Sequence, residues 1–167
     1  SGKTGATNAA HTLGWRISAG VFVIDILKGV AAVLLARWLT GEPLVEALAG
    51  VAAIAGHCWS PYIRFGGGRG VATGLGAAVA IAPWTLLVII PVGALTLGLT
   101  RYVSLGSIVG AASVPAAIGL GALLGWLAPA YVIYGLLGGP LIIGKHRDNI
   151  GRLRAGTERK LGERART

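Results

Sequence analysis

AGVFVIDILKGVAAVLLARWL, residues 19–39, decides the fold: it is 21 residues long and carries only three charges, Asp25, Lys28 and Arg37. A helix of about 20 predominantly apolar residues crosses the hydrocarbon core of a bilayer. The run is apolar all round rather than along one stripe, which suits a helix surrounded by lipid or protein. Asp25 and Lys28 are three apart and share a helical face, so an internal ion pair is expected to offset the cost of charge at that depth. Five more apolar segments follow, at about residues 44–55, 71–82, 84–100, 105–124 and 127–144. The fifth and sixth of the six also reach spanning length, and the fourth nearly does. The second and third are short and read as crossings of a thinned membrane or as re-entrant pieces. The fold class is therefore all-α: a polytopic integral membrane helix bundle, one domain over residues 1–167.

Composition agrees. Of 167 residues, 54% are hydrophobic and only 13% are charged, against about 25% charged in a soluble domain. The net charge of +9 would suggest nucleic acid in a soluble protein. Here the basic residues stand between and after apolar runs, which points to membrane-flanking loops and anionic ligands instead, with no nucleic-acid partner. Cys58 is the single cysteine, so no internal disulfide forms. The sequence starts at Ser1 and contains no methionine, so its true start is expected upstream, where either a signal or a membrane helix would fit.

The charges also give a topology. If all six segments cross, thirteen of the 15 Lys and Arg residues fall on one side, the exceptions being Lys28 and Arg37 in or near the end of the first segment. By the positive-inside rule that side is cytoplasmic. It includes a basic C-terminal segment, residues 145–167, expected to face the cytoplasm and the lipid headgroups. Trp38, Trp84 and Trp126 fall near the opposite ends, as interfacial aromatics do. The fifth segment carries Gly106, Gly110, Gly119, Gly121 and Gly125, which are expected to allow close helix packing.

The unusual polar sequence lies on the basic side. Residues 1–11, SGKTGATNAAH, combine flexible glycines with donors and a cation, a composition suited to anion binding or to a plain connector. Gly2-Lys3-Thr4 imitates the end of a P-loop but lacks the required first glycine. Gly66-Gly67-Gly68-Arg69-Gly70 stands just before a helix, where free amides and positive potential suit phosphate and Arg69 can clamp it. Ser104 and Ser107 share a helical face and could cap a helix or touch a ligand. His146 and Asn149 are three apart and are expected on one face. His57 has no carboxylate or cysteine at ligand spacing and reads as structural; Cys58 reads as packed. No metal motif is present. A transporter would place paired polar residues at mid-membrane depth, and only Asp25 and Lys28 come close.

Taken together, these motifs resemble the bacterial acyl-phosphate:glycerol-3-phosphate acyltransferases, the PlsY family. Ser1-Gly2 with Gly5-Ala6-Thr7-Asn8 is similar to its first motif, and Gly67-Gly68-Arg69-Gly70-Val71-Ala72-Thr73 to its second. Tyr102-Val103-Ser104-Leu105 with Ser107 follows. His146-Arg147-Asp148-Asn149-Ile150 with Gly156-Thr157-Glu158 is similar to the third. The resemblance covers the whole chain with the motifs in order. It implies a bundle of seven helices with its first helix upstream of Ser1. It also implies transfer of a fatty acyl group from acyl phosphate to the 1-hydroxyl of glycerol 3-phosphate, without cofactor or metal. Lysophosphatidate and phosphate are the implied products, made at the cytoplasmic face of the inner membrane. The implied partners are glycerol 3-phosphate, a long-chain acyl phosphate and the bilayer. By resemblance Ser1, Arg69, His146 and Asn149 are catalytic, and Gly2, Lys3, Thr7, Asn8, His11, Gly67, Gly68, Gly70 and Ser107 bind substrate or phosphate.

The chain departs from the family pattern at three places. His11 stands where arginine is usual, Lys3 where asparagine is common, and Arg69 where lysine is usual. Lys3 is expected to supply the charge His11 lacks at neutral pH, while Arg69 keeps the charge and changes its geometry.

Overall fold

A computed structural model describes residues 14–163, and they form seven α-helices joined by short turns and loops. These are α1 (Trp15–Thr40), α2 (Pro43–Cys58), α3 (Val71–Ile81), α4 (Leu86–Thr100), α5 (Val103–Leu123), α6 (Val132–Lys145) and α7 (Arg147–Arg154). Three stretches are long and apolar enough to cross a membrane: Trp15–Thr40, Pro83–Thr100 and Val103–Leu123. The fourth and sixth segments open with a 3-10 turn, Pro83–Thr85 and Pro129–Tyr131, because proline fixes its own φ and tightens the entry. Trp59 to Gly70 form a loop between α2 and α3.

Backbone contact joins the first and third helices. A Cβ on Gly29 would stand 2.1 Å from the Thr73 carbonyl oxygen, and one on Gly76 would stand 2.0 Å from that of Ile26. Glycine at both places lets α1 and α3 touch backbone to backbone, as small residues do in membrane bundles. Of the five glycines of the fifth segment, Gly106 behaves likewise against the Gly93 backbone, and Gly121 makes room for the Trp84 ring. Gly125 turns the chain at φ +73°, Gly119 faces open space, and Gly110 has room for a side chain. The apolar core runs through Val33, Ala47, Ile54, Ala77, Ile118 and Tyr134.

The two cationic exceptions to the charge pattern are both paired. Lys28 Nζ donates to Asp25 Oδ1 at 2.6 Å and contacts His57 Nδ1, which lies 3.3 Å from the same carboxylate oxygen. The expected ion pair therefore has a third member on α2. Arg37 Nε donates to Glu46 at 2.9 Å and Arg37 Nη2 to the Ala80 carbonyl; Tyr131 Oη donates to Glu46 at 2.7 Å. That cluster ties α1, α2, α3 and the entry to α6 at the end of the bundle opposite the basic loops. Trp84 and Trp126 meet edge to face there, with ring centroids 5.8 Å apart.

The shortness of α3 has a local cause. Its first residues begin inside the bundle: a Cβ on Gly70 would press on Ile54, and one on Gly74 on Ile142. Irregular backbone at such depth is tolerated where protein covers it.

Candidate active site

The glycine loop is seated on the end of α2. Gly68 N–H donates to the His57 carbonyl at 3.3 Å, and a Cβ on Gly67 would stand 2.2 Å from the same oxygen. Any side chain at 67 would therefore push the loop away. Lys145 clasps the same helix end, donating to the Cys58 carbonyl at 2.9 Å and lying over the Trp59 ring at 4.4 Å. Gly70 adopts φ +78° and starts α3 without a side-chain cap. The first amides of α3 thus carry no capping group, and Arg69 stands immediately before them.

Arg69 is half-buried, and its Nε is buried without a partner among the described residues. Burial pushes its guanidinium below the ordinary value; the nearby charge of Glu158 opposes this and Arg152 adds to it. A cation so desolvated and only partly neutralised favours an anion beside it.

The residues facing this loop come from α5, α7 and the chain beyond. Glu158 is the hub. Its carboxylate accepts from Ser104 Oγ at 2.6 Å, Asn149 Nδ2 at 2.6 Å and Arg152 Nε at 2.7 Å. The side chain is only 8% exposed. Burial raises its pKa, but the three donors outweigh this and hold the carboxyl below its ordinary range. The chain reaches this place through a Schellman turn: Gly156 N–H bonds to the Leu153 carbonyl and Thr157 N–H to the Arg152 carbonyl, with Gly156 at φ +66°. Further on, Leu161 N–H bonds to the Arg101 carbonyl at 2.7 Å and Arg101 Nη2 returns a bond to Leu161 O. The C-terminal segment is thus strapped back over the α4–α5 junction rather than simply facing lipid headgroups.

Asn149 is 2% exposed, and with its Nδ2 held by Glu158 its Oδ1 is left buried without a partner among the described residues. His146 is 1% exposed and sits at the junction of α6 and α7, with non-helical ψ 10°. The expected single helical face is therefore a bend, yet both side chains point inward. His146 Nδ1 lies 2.8 Å from the Ile142 carbonyl. A carbonyl only accepts, so Nδ1 carries a proton and donates it to Ile142.

Ser107 Oγ donates to the Val103 carbonyl at 3.0 Å, while Ser104 bonds Glu158; neither caps a helix. Ser107 lies on the wall of an apolar cleft that also includes Val71 and Ile142, the helix start beside Gly70 and the residue that holds His146. Arg69, Ser107, His146 and Asn149 thus gather at one end of the bundle. Ser1, Gly2, Lys3, Thr7, Asn8 and His11 lie outside the described residues.

Sequence reasoning quoted Glu158 within a motif but did not give it a place in the site. Its signal was a lone carboxylate in a basic segment. Thr73 was passed over as well: its Oγ1, one turn into α3, is fully buried without a partner among the described residues.

Comparison with known proteins gives the family. A family model described as glycerol-3-phosphate acyltransferase matches residues 1–156. The chain belongs to the PlsY family of glycerol-3-phosphate acyltransferases. Among glycerol-3-phosphate acyltransferases, that of Thermoanaerobacter sp. (strain X514) is 41% identical over 98% of this chain and 80% of its own. That of Desulforudis audaxviator is 44% identical with the same coverage. A crystal structure of PlsY, an integral membrane glycerol 3-phosphate acyltransferase, in its glycerol 3-phosphate form superposes with a TM-score of 0.86. It is 36% identical, and the match covers 97% of this chain and 80% of that one. The same protein's lysophosphatidic acid form also gives 0.86, at 35% identity. The PlsY fold confirms the multi-pass membrane helix bundle expected from the apolar runs.

Proposed function

We propose that this acyltransferase moves a fatty acyl group from a long-chain acyl phosphate to the 1-hydroxyl of glycerol 3-phosphate. Lysophosphatidate and inorganic phosphate leave, as a step of bacterial phospholipid synthesis at the cytoplasmic face of the inner membrane. One observation carries this reading: two buried polar atoms of opposite kind, unpaired among the described residues, stand at the same end of the bundle, near the mouth of an apolar cleft. Arg69 Nε is a donor suited to phosphate, and Asn149 Oδ1 is an acceptor suited to a hydroxyl. Buried groups left unpaired cost about 1–3 kcal/mol each, so such a pair is explained by a ligand that offers both complements. Glycerol 3-phosphate does. The relative solved in glycerol 3-phosphate and lysophosphatidic acid forms supports the same acceptor and product.

The chemistry follows from these groups. Phosphate rests on Arg69 and the amides of Gly67 and Gly70, at the positive end of α3, while Gly68, whose N–H is held by the His57 carbonyl, shapes the loop around it. Asn149 Oδ1 accepts the acceptor hydroxyl and fixes its direction. The hydroxyl oxygen attacks the acyl carbonyl carbon, an ester C–O bond forms, and the bond from acyl carbon to phosphate oxygen breaks. Arg69, holding the phosphate of glycerol 3-phosphate, also helps offset the negative charge that builds up beside it in the transition state. The hydroxyl proton goes to a phosphate oxygen. Glu158 does not take it, because three donors saturate that carboxylate and hold its pKa low. Gly2, Lys3, Thr7, Asn8, His11 and Ser107 belong to the substrate-binding set, and Ser1 and His146 position the reactants. An acyl phosphate is already activated, so the transfer needs no cofactor or metal.

The donor is tested by supplying the protein in nanodiscs with glycerol 3-phosphate and either palmitoyl phosphate or a palmitoyl thioester. Expected are consumption of the acyl phosphate alone, equimolar phosphate, and lysophosphatidate by mass spectrometry. Turnover of the thioester alone contradicts the reading.

A further inference from the structure

The cleft beside Ser107 has a volume of about 360 Å³ and is walled by α3, α4, α5 and α6. The two hydroxyls in its lining are both engaged with backbone carbonyls, Ser107 with Val103 and Tyr134 with Gly74. Ile89, Val114 and Tyr134 line it on three helices. Each is seven or eight residues from the cleft's residue near the glycine loop on the same helix (Leu97, Ser107, Ile142), or about 10–12 Å along the axis. At roughly 1.3 Å per carbon in an all-anti chain, that length takes about eight to nine carbons. Phe22 and Ile90 flank the cleft and are 40% and 50% exposed on the lipid-facing surface.

The glycines of the wall are of two kinds. A Cβ on Gly74, Gly106 or Gly139 would stand 2.7 Å from Ile142 Cδ1, 2.9 Å from the Gly93 carbonyl oxygen or 2.9 Å from that of Ala111. Close packing accounts for those three and for Gly138, where a Cβ would stand 3.2 Å from Ile54 Cδ1, while one on Gly93 would stand 3.4 Å from the Gly106 carbonyl oxygen. Gly110 differs: a Cβ there would meet nothing nearer than 3.7 Å, an ordinary contact with Ile89. Helix packing places no demand for glycine at 110. What its missing side chain leaves is open cleft one turn beyond Ser107.

We propose that Gly110 is a specificity-determining residue for the acyl tail of the donor, on the acyl-phosphate reading given above. The tail is the occupant the cleft fits, because the mouth is continuous with the phosphate loop through Val71, the lining offers no free polar group, and the open side faces lipid. Glycine at 110 lets the tail run past the first turn to Ile89, Val114 and Tyr134. A larger side chain stops it there and turns long tails out of the cleft.

The test measures turnover of palmitoyl, decanoyl and butyryl phosphate in nanodiscs at saturating glycerol 3-phosphate. Gly110→Leu is expected to lower the palmitoyl-to-butyryl ratio by at least about tenfold, in the range that a few methylenes discriminate, with KM for glycerol 3-phosphate unchanged. Gly110→Ala, which fits at ordinary contact distance, is expected to shift the ratio less and in the same direction. Gly119→Leu is the control, since a Cβ there meets nothing, and it should leave the ratio alone. A wild-type ratio in both Gly110 variants overturns the inference while leaving the acyl-phosphate reading intact. A wild type that turns over none of the three acyl phosphates overturns that reading, and the inference with it.

Discussion

Arg69 and Glu158 divide the work of charge at this site, and each can be removed separately. Arg69 Nε is the donor left unpaired among the described residues. Arg69→Ala should lower kcat/KM by about 100-fold or more, because a charge-assisted contact to phosphate is lost in the transition state. Arg69→Lys keeps the point charge but not the fork, and should retain activity within about tenfold. Steady-state kinetics with glycerol 3-phosphate separate the two outcomes. Glu158 instead holds Asn149 in place. Glu158→Gln removes a carboxylate that accepts three bonds, and hydrogen bonds to charged groups contribute about 1.5–3 kcal/mol each. Thermal unfolding should show a lower Tm, and kcat should fall more than KM rises because Asn149 loses its orientation. The folded carboxyl titrates below its ordinary value. Its stabilisation is therefore complete above the ordinary carboxylate range and is lost as pH falls through the folded pKa. The Tm gap between wild type and Glu158→Gln should hold from pH 7 to about pH 5 and close only in stronger acid.

At the scale of the element, turns decide what the helices present. Gly156 ends α7 in the left-handed region and reverses the chain so that Glu158 returns beneath Asn149. Gly156→Val should cost about 1–2 kcal/mol in the turn itself. It should also mimic Glu158→Gln in kinetics, although residue 156 is exposed and touches no substrate; circular dichroism would show the helices intact. The same scale explains how far the sequence could be read. Apolar length and proline positions located the apolar helices, of which the first, fourth and fifth segments are long enough to cross a membrane, and the 66–70 glycine loop and the His146–Asn149 spacing pointed to residues that the fold brings to one end of the bundle. Glu158 was passed over because hydrophobic periodicity carries no information on a chain that folds back through a Schellman turn. The bend at His146 was missed because a spacing of three fits a continuous helix as well as a junction. His57 lacked a partner in sequence because Asp25 and Lys28 reach it from another helix, across 29 residues between Lys28 and His57.

For the whole molecule, the charged ends fix orientation. The basic loops gather at one end, and Lys28 and Arg37, which break the pattern, are both paired with carboxylates. Cys58 is fully buried, so single new cysteines report cleanly against it. A cysteine at Gly125 should react with a membrane-impermeant thiol reagent added outside intact cells. One at Arg159 should react only after the membrane is opened. The reverse pattern contradicts a cytoplasmic site. The bundle keeps its polar backbone inside protein at the glycine loop, and it opens its apolar cleft toward lipid. On the function proposed above, this arrangement lets phosphate groups meet Arg69 while the acyl chain stays out of water.

Acceptor-dependent phosphate release tests this arrangement most directly. The protein in nanodiscs is given palmitoyl phosphate, with and without glycerol 3-phosphate, beside Asn149→Ala. Release that requires glycerol 3-phosphate and falls by about 100-fold or more in Asn149→Ala is the predicted result, since the orienting acceptor for the hydroxyl is gone. Release at the wild-type rate from a folded Asn149→Ala protein would contradict it.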